Sequence, residues 1–344
     1  MKNPTITDVA TLAGVSKSTV SAVLNNKTFI RESTRRAVLR AIDELSYRPS
    51  SSARRGFRRA PGRSITFVVK EAQNPYYAET LAGIQAAGGE RGYVVLLASS
   101  EGEYGLERQI VELCTEREID GLILTPILND DTDLSHIFEL KRRNVPFVLL
   151  EAVRGVRASL VDVDNAKWSC EAVRYLLELG HTEIIHFAGP LYSAHTEERL
   201  DGVRRAFSET HLIMNEKVLV QAGHSAEDGY KAGLECFRSR QGADRPTAVT
   251  CYNDLVAVGL LKALRELGIG VPEEVSVVGF DDLRMLEYIS PGLTTVHVPK
   301  FDMGRIAAEI LIRQIEGRGE LPPERVSLEA ELVVRQSSGR LHGS

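Results

Sequence analysis

Residues 5–25 read TITDVATLAGVSKSTVSAVLN, and the apolar spacing of that run predicts two short helices. Thr7 is placed to cap the first, with Asp8 in the opening turn, where a negative charge meets the positive end of the helix dipole. Val9, Ala10 and Ala13 make one apolar face, and Gly14 stands where a helix closes on a left-handed residue. Ser16 is placed to cap the second helix. Val20, Val23 and Leu24 point inward from it, and Asn25 and Asn26 close it. Small Ala10, turn-forming Gly14 and apolar Val20 are spaced so that two helices cross closely, as a DNA-reading helix-turn-helix requires. A third helix follows, with Ser33 as its expected cap and Ala37, Val38, Ala41, Ile42 and Leu45 as its stripe. Three-helix bundles are common and need bind nothing. Here, however, the outer face of the second helix carries Lys17, Ser18, Thr19 and Ser21, which suit phosphates and base edges.

Charge divides along the same line. Residues 1–63 hold 13 Lys and Arg against 4 Asp and Glu, a net of +9, while the remaining 281 residues carry −14. A basic head on an acidic body points to a polyanionic partner for the head alone. Residues 49–63, PSSSARRGFRRAPGR, contain five arginines and no acid. They read as a flexible basic tether that follows a phosphate backbone.

From Ser64 the pattern changes. SITFVVK, YVVLLAS, DGLILTP and PFVLLE read as buried strands, with helices expected at about 75–91, 104–117 and 133–143 between them. A second set is expected to begin at LVDVD (160–164) and to continue with EIIHFAG, VLVQAG, TAVTCY and VSVVGF. Alternation of this kind implies parallel α/β sheets, and two such units imply a cleft for a small ligand between them.

Several functions are excluded. No run approaches the ~18 apolar residues of a membrane helix, and the N-terminus lacks the apolar core of a secretory signal. Cysteines 114, 170, 236 and 251 have no CxxC spacing and no partner histidines, so reduced thiols are expected and not a disulfide frame or metal site. GIGVPE at 268–273 lacks the third glycine of a dinucleotide fingerprint and precedes a strand. GHSAE at 223–227 has Glu227 where a nucleophile elbow needs glycine, leaving Ser225 as a helix cap. Asp130, Asp131 and Asp133 are not followed by the glycine and glutamate of a calcium loop. A non-enzyme without cofactor or metal is expected, in the cytoplasm.

The run at 5–25, with Thr34-Arg35 and AIDELSYRPSSSAR at 41–54, resembles the N-terminal signature of the lactose-repressor (LacI/GalR) family of bacterial transcription regulators. NPYYAE (74–79), ELGHTEIIHFAGP (178–190), RLDGVRRAF (199–207), the long run 252–282 and PGLTTVHVPKFDMG (291–304) resemble the family's ligand-binding core. The resemblance implies an all-α helix-turn-helix head at 1–48, a hinge at 49–63 and an α/β periplasmic-binding-protein-like core at 64–344. That core would consist of two doubly wound parallel-sheet subdomains, one from about 64–159 and 292–321, the other from about 160–291 and 322–340. It also implies DNA contacts from Thr5, Ser16, Lys17, Ser18, Thr19, Ser21, Asn25, Thr34, Tyr47 and Ser50. In the hinge, Ala53 and Arg54 match the family pattern. The position of its minor-groove wedge is taken by Gly56, and Phe57 is the neighbouring side chain left for that role. Ala22 stands where the family often has a basic base-contacting residue, so base readout falls mainly to Lys17 and Ser18.

For the effector, Tyr76 and Tyr77 open a helix after the first core strand, where an aromatic pair can stack on a sugar or base or else pack on the sheet. Asp281 follows VSVVGF, where a carboxylate at a strand end can accept from vicinal hydroxyls, and Asp282 beside it reads as a helix cap. The resemblance raises Arg199 from a surface ion pair to a ligand anchor and brings Asn253 and Asp254 near the ligand, although Asp254 alone reads as an N-cap. It aligns Ser193, His195 and His224 with the positions that read ligand identity. The expectation is a homodimeric repressor of a pseudo-palindromic operator, controlled by a small effector, in first place a sugar or sugar derivative. A purine or protein effector, or a pure ligand-binding protein with a vestigial head, are the alternatives.

Overall fold

Two units make up the chain, Met1–Pro61 and Gly62–Ser344. The computed structural model describes residues 4–24, 27, 30–45, 47, 63–116, 119–128, 133–210, 218–240, 242, 245–317 and 321–341.

The first unit holds three helices, α1 (Ile6–Leu12), α2 (Lys17–Leu24) and α3 (Glu32–Glu44). Thr5, not Thr7, precedes α1: its backbone N–H and its hydroxyl both donate to Asp8 Oδ2, each at 2.7 Å. The reason is spacing, because Asp8 lies three residues after Thr5 and reaches back over the first turn. Gly14, at φ +67°, ends α1 in the left-handed conformation, and Val15 N–H closes the turn on Ala10 O at 3.0 Å. Ser16 caps α2 by accepting from Thr19 N–H at 3.1 Å. The third helix begins one residue before Ser33, with Arg31 at the cap position. Val9, Ala10, Val20, Val23, Val38 and Ala41 meet in the core.

The second unit has two lobes. Lobe 1 opens with β1 (Ser64–Val69), α4 (Pro75–Glu90), β2 (Val94–Ser99), α5 (Tyr104–Glu116), β3 (Gly121–Leu124), α6 (Ser135–Arg142), β4 (Phe147–Leu149) and β5 (Ser159–Val163). Lobe 2 follows with α7 (Asn165–Glu178), β6 (Ile184–Ala188), α8 (Ala194–Glu209), β7 (Leu219–Gln221), α9 (Ala226–Ser239), β8 (Ala248–Cys251), α10 (Asp254–Glu266), β9 (Ser276–Asp281) and β10 (Thr294–His297). The chain returns to lobe 1 for α11 (Lys300–Glu316) and β11 (Arg325–Leu328), then crosses back for β12 (Glu331–Val333). The sheet orders are β11-β5-β4-β3-β1-β2 and β12-β10-β9-β8-β6-β7. All pairings are parallel except β12 against β10.

The expected subdomain boundaries therefore need correction. LVDVD belongs to the first sheet, where β5 pairs with β4 and β11. LTTVHVP belongs to the second, where β10 pairs with β9. Of the closing stretch, 325–328 joins lobe 1 and only 331–333 joins lobe 2. Each crossing comes after a strand, not before it. An apolar run declares itself a strand, but the sheet that receives it is decided by which edge is open.

Apolar packing holds each lobe. Ile65, Phe67 and Val69 face one side of the first sheet, and Val68, Leu122 and Leu124 face the other. Phe187, Val249, Val277, Leu260 and Leu264 anchor lobe 2. Each such side chain contributes roughly 1.5–3 kcal/mol by leaving water. Where α11 lies on α4 the backbones touch. A Cβ at Gly83 would come within 1.9 Å of Phe301 O, and one at Gly304 within 2.0 Å of Thr80 O. The four cysteines are free thiols, and among the described residues no helix is long and apolar enough to cross a membrane.

Candidate functional site

In the head, Thr5, Ser16, Lys17 and Ser18 are exposed, and Thr19, Ser21 and Thr34 are half-buried. Ser16 Oγ lies 2.6 Å from Ser18 Oγ and 2.8 Å from Thr19 Oγ1. Three linked hydroxyls thus stand at the start of α2, where a helix also offers unpaired N–H groups to an anion. Tyr47 behaves differently. The chain turns back after α3, with Tyr47 N–H donating to Ile42 O at 2.9 Å, and its ring packs in the head's core at 7% exposure. Asn25, Ser50, Ala53, Arg54, Gly56 and Phe57 lie outside the described residues.

In the body, the carboxyl ends of β1, β3 and β4 face those of β6, β8 and β9 across a narrow cavity of about 30 Å³. Seven expected residues line it: Tyr76, Tyr77, His195, Arg199, His224, Asn253 and Asp281. Ser193 sits just behind the wall, donating to Glu151 Oε2 at 3.3 Å and accepting from the Tyr252 hydroxyl at 3.2 Å. Asp254 is not in the cavity. It is wholly buried and accepts from Leu283 N–H at 2.9 Å and Thr295 Oγ1 at 2.6 Å, which makes it a brace inside lobe 2. The cap of α10 is Asn253, whose Oδ1 accepts from Val256 N–H at 2.8 Å. Asp282 caps no helix; it pairs with Arg335 at 2.7 Å and with His297 at 2.9 Å.

The geometry adds residues that the sequence reading left out: Lys70, Glu71, Asn74, Thr125, Glu151, Tyr192 and Tyr252. Lys70, Thr125, Glu151 and Tyr252 each follow closely on a strand, so a polar residue ending an apolar run was the available signal. Lys70 Nζ donates to Glu151 Oε1 at 2.5 Å, with side chains 3% and 2% exposed. Burial opposes the Glu151 charge, but His195, the Lys70 ammonium and the Ser193 hydroxyl outweigh it and hold the carboxyl below its ordinary range. His195 is driven down to about 4 by burial first, with Arg199 and Lys70 adding to the effect and Glu151 opposing it.

Arg199 is held on every side. Its Nε donates to Asn165 Oδ1 at 3.0 Å, Nη1 donates to the Tyr252 carbonyl, and Nη2 lies 3.5 Å from Asp281 Oδ1. The guanidinium rests 3.7 Å over the Phe280 ring. Burial raises the Asp281 carboxyl to about 6 despite Arg199 and Lys300. Asp281 and Asp282 have φ of +117° and +55°, a conformation costly for residues with a Cβ. Buried Lys300 fastens this kink by donating to the carbonyls of Asp281, Asp282 and Val298 at 2.5, 3.0 and 3.2 Å. Tyr192 joins the lobes twice: its hydroxyl donates to Glu71 Oε1 at 2.9 Å and its carbonyl accepts from Leu128 N–H at 2.6 Å.

Residues 5–50 match the lacI family of bacterial regulatory proteins, and residues 173–338 match the periplasmic binding protein-like domain. The HTH-type transcriptional repressor PurR of Vibrio vulnificus is 34% identical over 98% of this chain and 99% of its own length. The chain belongs to the lacI family. Among solved structures, the transcriptional regulator CelR in complex with cellobiose is 34% identical with a TM-score of 0.72, over 97% of this chain and 99% of that one. A lacI-family regulator from Enterococcus faecium with bound ribose is 26% identical with a TM-score of 0.72, covering 81% of this chain and 100% of that one. The lac repressor dimer on its operator, at 24% identity, shares the fold over 98% of this chain and 100% of its own, with a TM-score of 0.72. As a lacI-family member the chain is a transcriptional repressor with a DNA-binding head and a ligand-binding body, in a family of regulators and not of enzymes.

Proposed function

We propose that the chain acts as a homodimer on a pseudo-palindromic operator and that a neutral, hydroxyl-rich effector, a sugar or sugar derivative, controls its DNA affinity from the cavity between the lobes. One observation carries the choice of effector. Both strong cations of the cavity are already answered, Lys70 by Glu151 and Arg199 by Asp281, and Glu71 is a further carboxylate. An anionic effector would meet surplus negative charge, whereas hydroxyls donate to these acceptors without adding any. The tyrosine pair offers little open face to a flat base, because Tyr77 packs edge-on to Phe67 and the Tyr76 hydroxyl donates to Met303 Sδ at 3.3 Å. Effector binding can change operator affinity only by as much as it prefers one arrangement of the lobes.

The test is a thermal-shift series with cellobiose, ribose and hypoxanthine, followed by operator binding with whichever ligand stabilises the protein. A sugar that raises Tm in wild type and fails to do so in Asp281→Ala supports the reading. Stabilisation by hypoxanthine and by neither sugar overturns it.

A further inference from the structure

Arg199 reaches the effector cavity, but its orientation is governed from behind. A second, open cavity of about 410 Å³ lies at the ends of β5 and β11, lined among others by Asp162, Asp164, Asn165, Glu198 and Arg325. Glu198 and Arg199 are neighbours on α8, Glu198 facing this second cavity and Arg199 the first. Buried Asn165, the first residue of α7, lies between them. Its Nδ2 donates to Glu198 Oε2 at 2.9 Å and to Val163 O at 3.3 Å, and its Oδ1 accepts from Arg199 Nε at 3.0 Å.

The direction of this chain of bonds is fixed by donor and acceptor chemistry. A carboxylate and a carbonyl can only accept, so together they draw the amide N–H groups and turn the amide oxygen toward Arg199. With the amide reversed, its N–H would confront the Arg199 Nε–H, two donors with no acceptor between them. Fixing Nε fixes the plane of the guanidinium, and therefore the directions of both Nη groups.

We propose that Glu198 and Asn165 are positioning residues for Arg199, a hydrogen-bond chain from the second cavity that holds the guanidinium in the attitude it presents to the effector cavity. That Arg199 meets the effector rests on the reading above; the chain of bonds belongs to the ligand-free protein and is tested there. Glu198 is the element that can change state. Burial first, then the negative charge of Glu151, raise its carboxyl to about 7, against the bond from Asn165. The other charged groups about it are Asp162 from β5, Asp164 from the crossing before α7, Arg199 on its own helix and Arg325 from β11. Once protonated, Glu198 loses the charge that strengthens its bond from Asn165 Nδ2, so the hold on the amide, and through it on Arg199, loosens as pH falls through about 7.

The experiment follows the Arg199 Nε–H signal by NMR in the full chain labelled with 15N-arginine, without ligand, the signal being assigned by its loss in Arg199→Lys. In wild type the signal is protected from exchange with water and shifts with a midpoint near pH 7. Glu198→Gln keeps an oxygen acceptor but cannot titrate, so the signal stays protected and the shift near pH 7 disappears. Asn165→Ala speeds exchange by about tenfold or more, as expected on losing a hydrogen bond to a charged group. Asp281 also lies near Arg199, so Asp281→Asn must retain the transition. A wild-type transition in Glu198→Gln, its loss in Asp281→Asn, or unchanged exchange in Asn165→Ala would each overturn the assignment.

Discussion

The face of α2 and the wall of the cavity between the lobes are both rich in polar side chains, yet they hold them in opposite conditions. At the start of α2, Ser16, Lys17 and Ser18 are exposed to water. In the cavity, Lys70, Glu151, Arg199 and Asp281 are buried, and each already has a partner of opposite charge. An exposed polar group costs the fold little, so the head can carry an interface on a small core. A buried charge without a partner is costly, so the cavity has to satisfy its own groups before any effector is present.

The largest consequence concerns Lys70. Lys70→Ala leaves Glu151 buried without its ammonium partner, and is expected to lower stability by about 3–5 kcal/mol, read from urea unfolding. Lys70→Met combined with Glu151→Leu should recover most of that loss. Lys17→Ala in the head should stay within about 0.5 kcal/mol of wild type. A comparable loss from both single changes would erase the contrast.

Acid should act on the body through its buried histidines. His186 is held down to about 4 by burial and by Arg199, and His195 likewise to about 4. Each stays neutral in the folded chain where the unfolded chain binds a proton. The stability they contribute is therefore present above the ordinary histidine pKa of about 6.5 and is lost as pH falls through 4. Asp281, raised to about 6, has the opposite sign: its contribution is present below the ordinary carboxylate range and is lost as pH rises through 6. His186→Gln should remove about 2–3 kcal/mol of the acid-side loss, measured by calorimetry between those limits. An unchanged pH dependence would mean that burial of His186 is not what acid attacks.

On DNA, Lys17→Ala should weaken binding to the selected operator by about 1–3 kcal/mol more than binding to a random duplex, read by fluorescence anisotropy at fixed salt. Equal loss on both would make Lys17 a phosphate contact. The finest comparison sets two caps side by side. Ser16→Ala and Ser225→Ala each remove a hydroxyl that accepts a backbone N–H and should each cost about 1 kcal/mol of stability. Only Ser16→Ala should also weaken operator binding.

The same contrast explains what could be read from the sequence. The head was legible because its signals are local: Gly14, Ser16 and the valines of α2 act within a few residues of one another. The strands were legible as apolar runs. The allocation of β5, β10 and β11 to sheets was not, because it depends on edges supplied by distant segments. At the site, Arg199 and Asp281 were found through strand ends and family pattern. Lys70 and Glu151 escaped because their role exists only as a pair 81 residues apart. Asp254 misled for a related reason. It stands beside Asn253 in sequence, but its carboxylate turns into lobe 2, where Leu283 and Thr295 require an acceptor.

The three crossings between lobes run side by side. The first and third are tied by Lys167 and Glu329 at 2.8 Å, and the second and third by the pairing of His297 with Glu331. Connections gathered in this way act as the pin of a door. They resist sliding and twisting of one lobe on the other and leave a swing about the line they share. On the reading proposed above, an occupant of the cavity would act through one angle, a single variable.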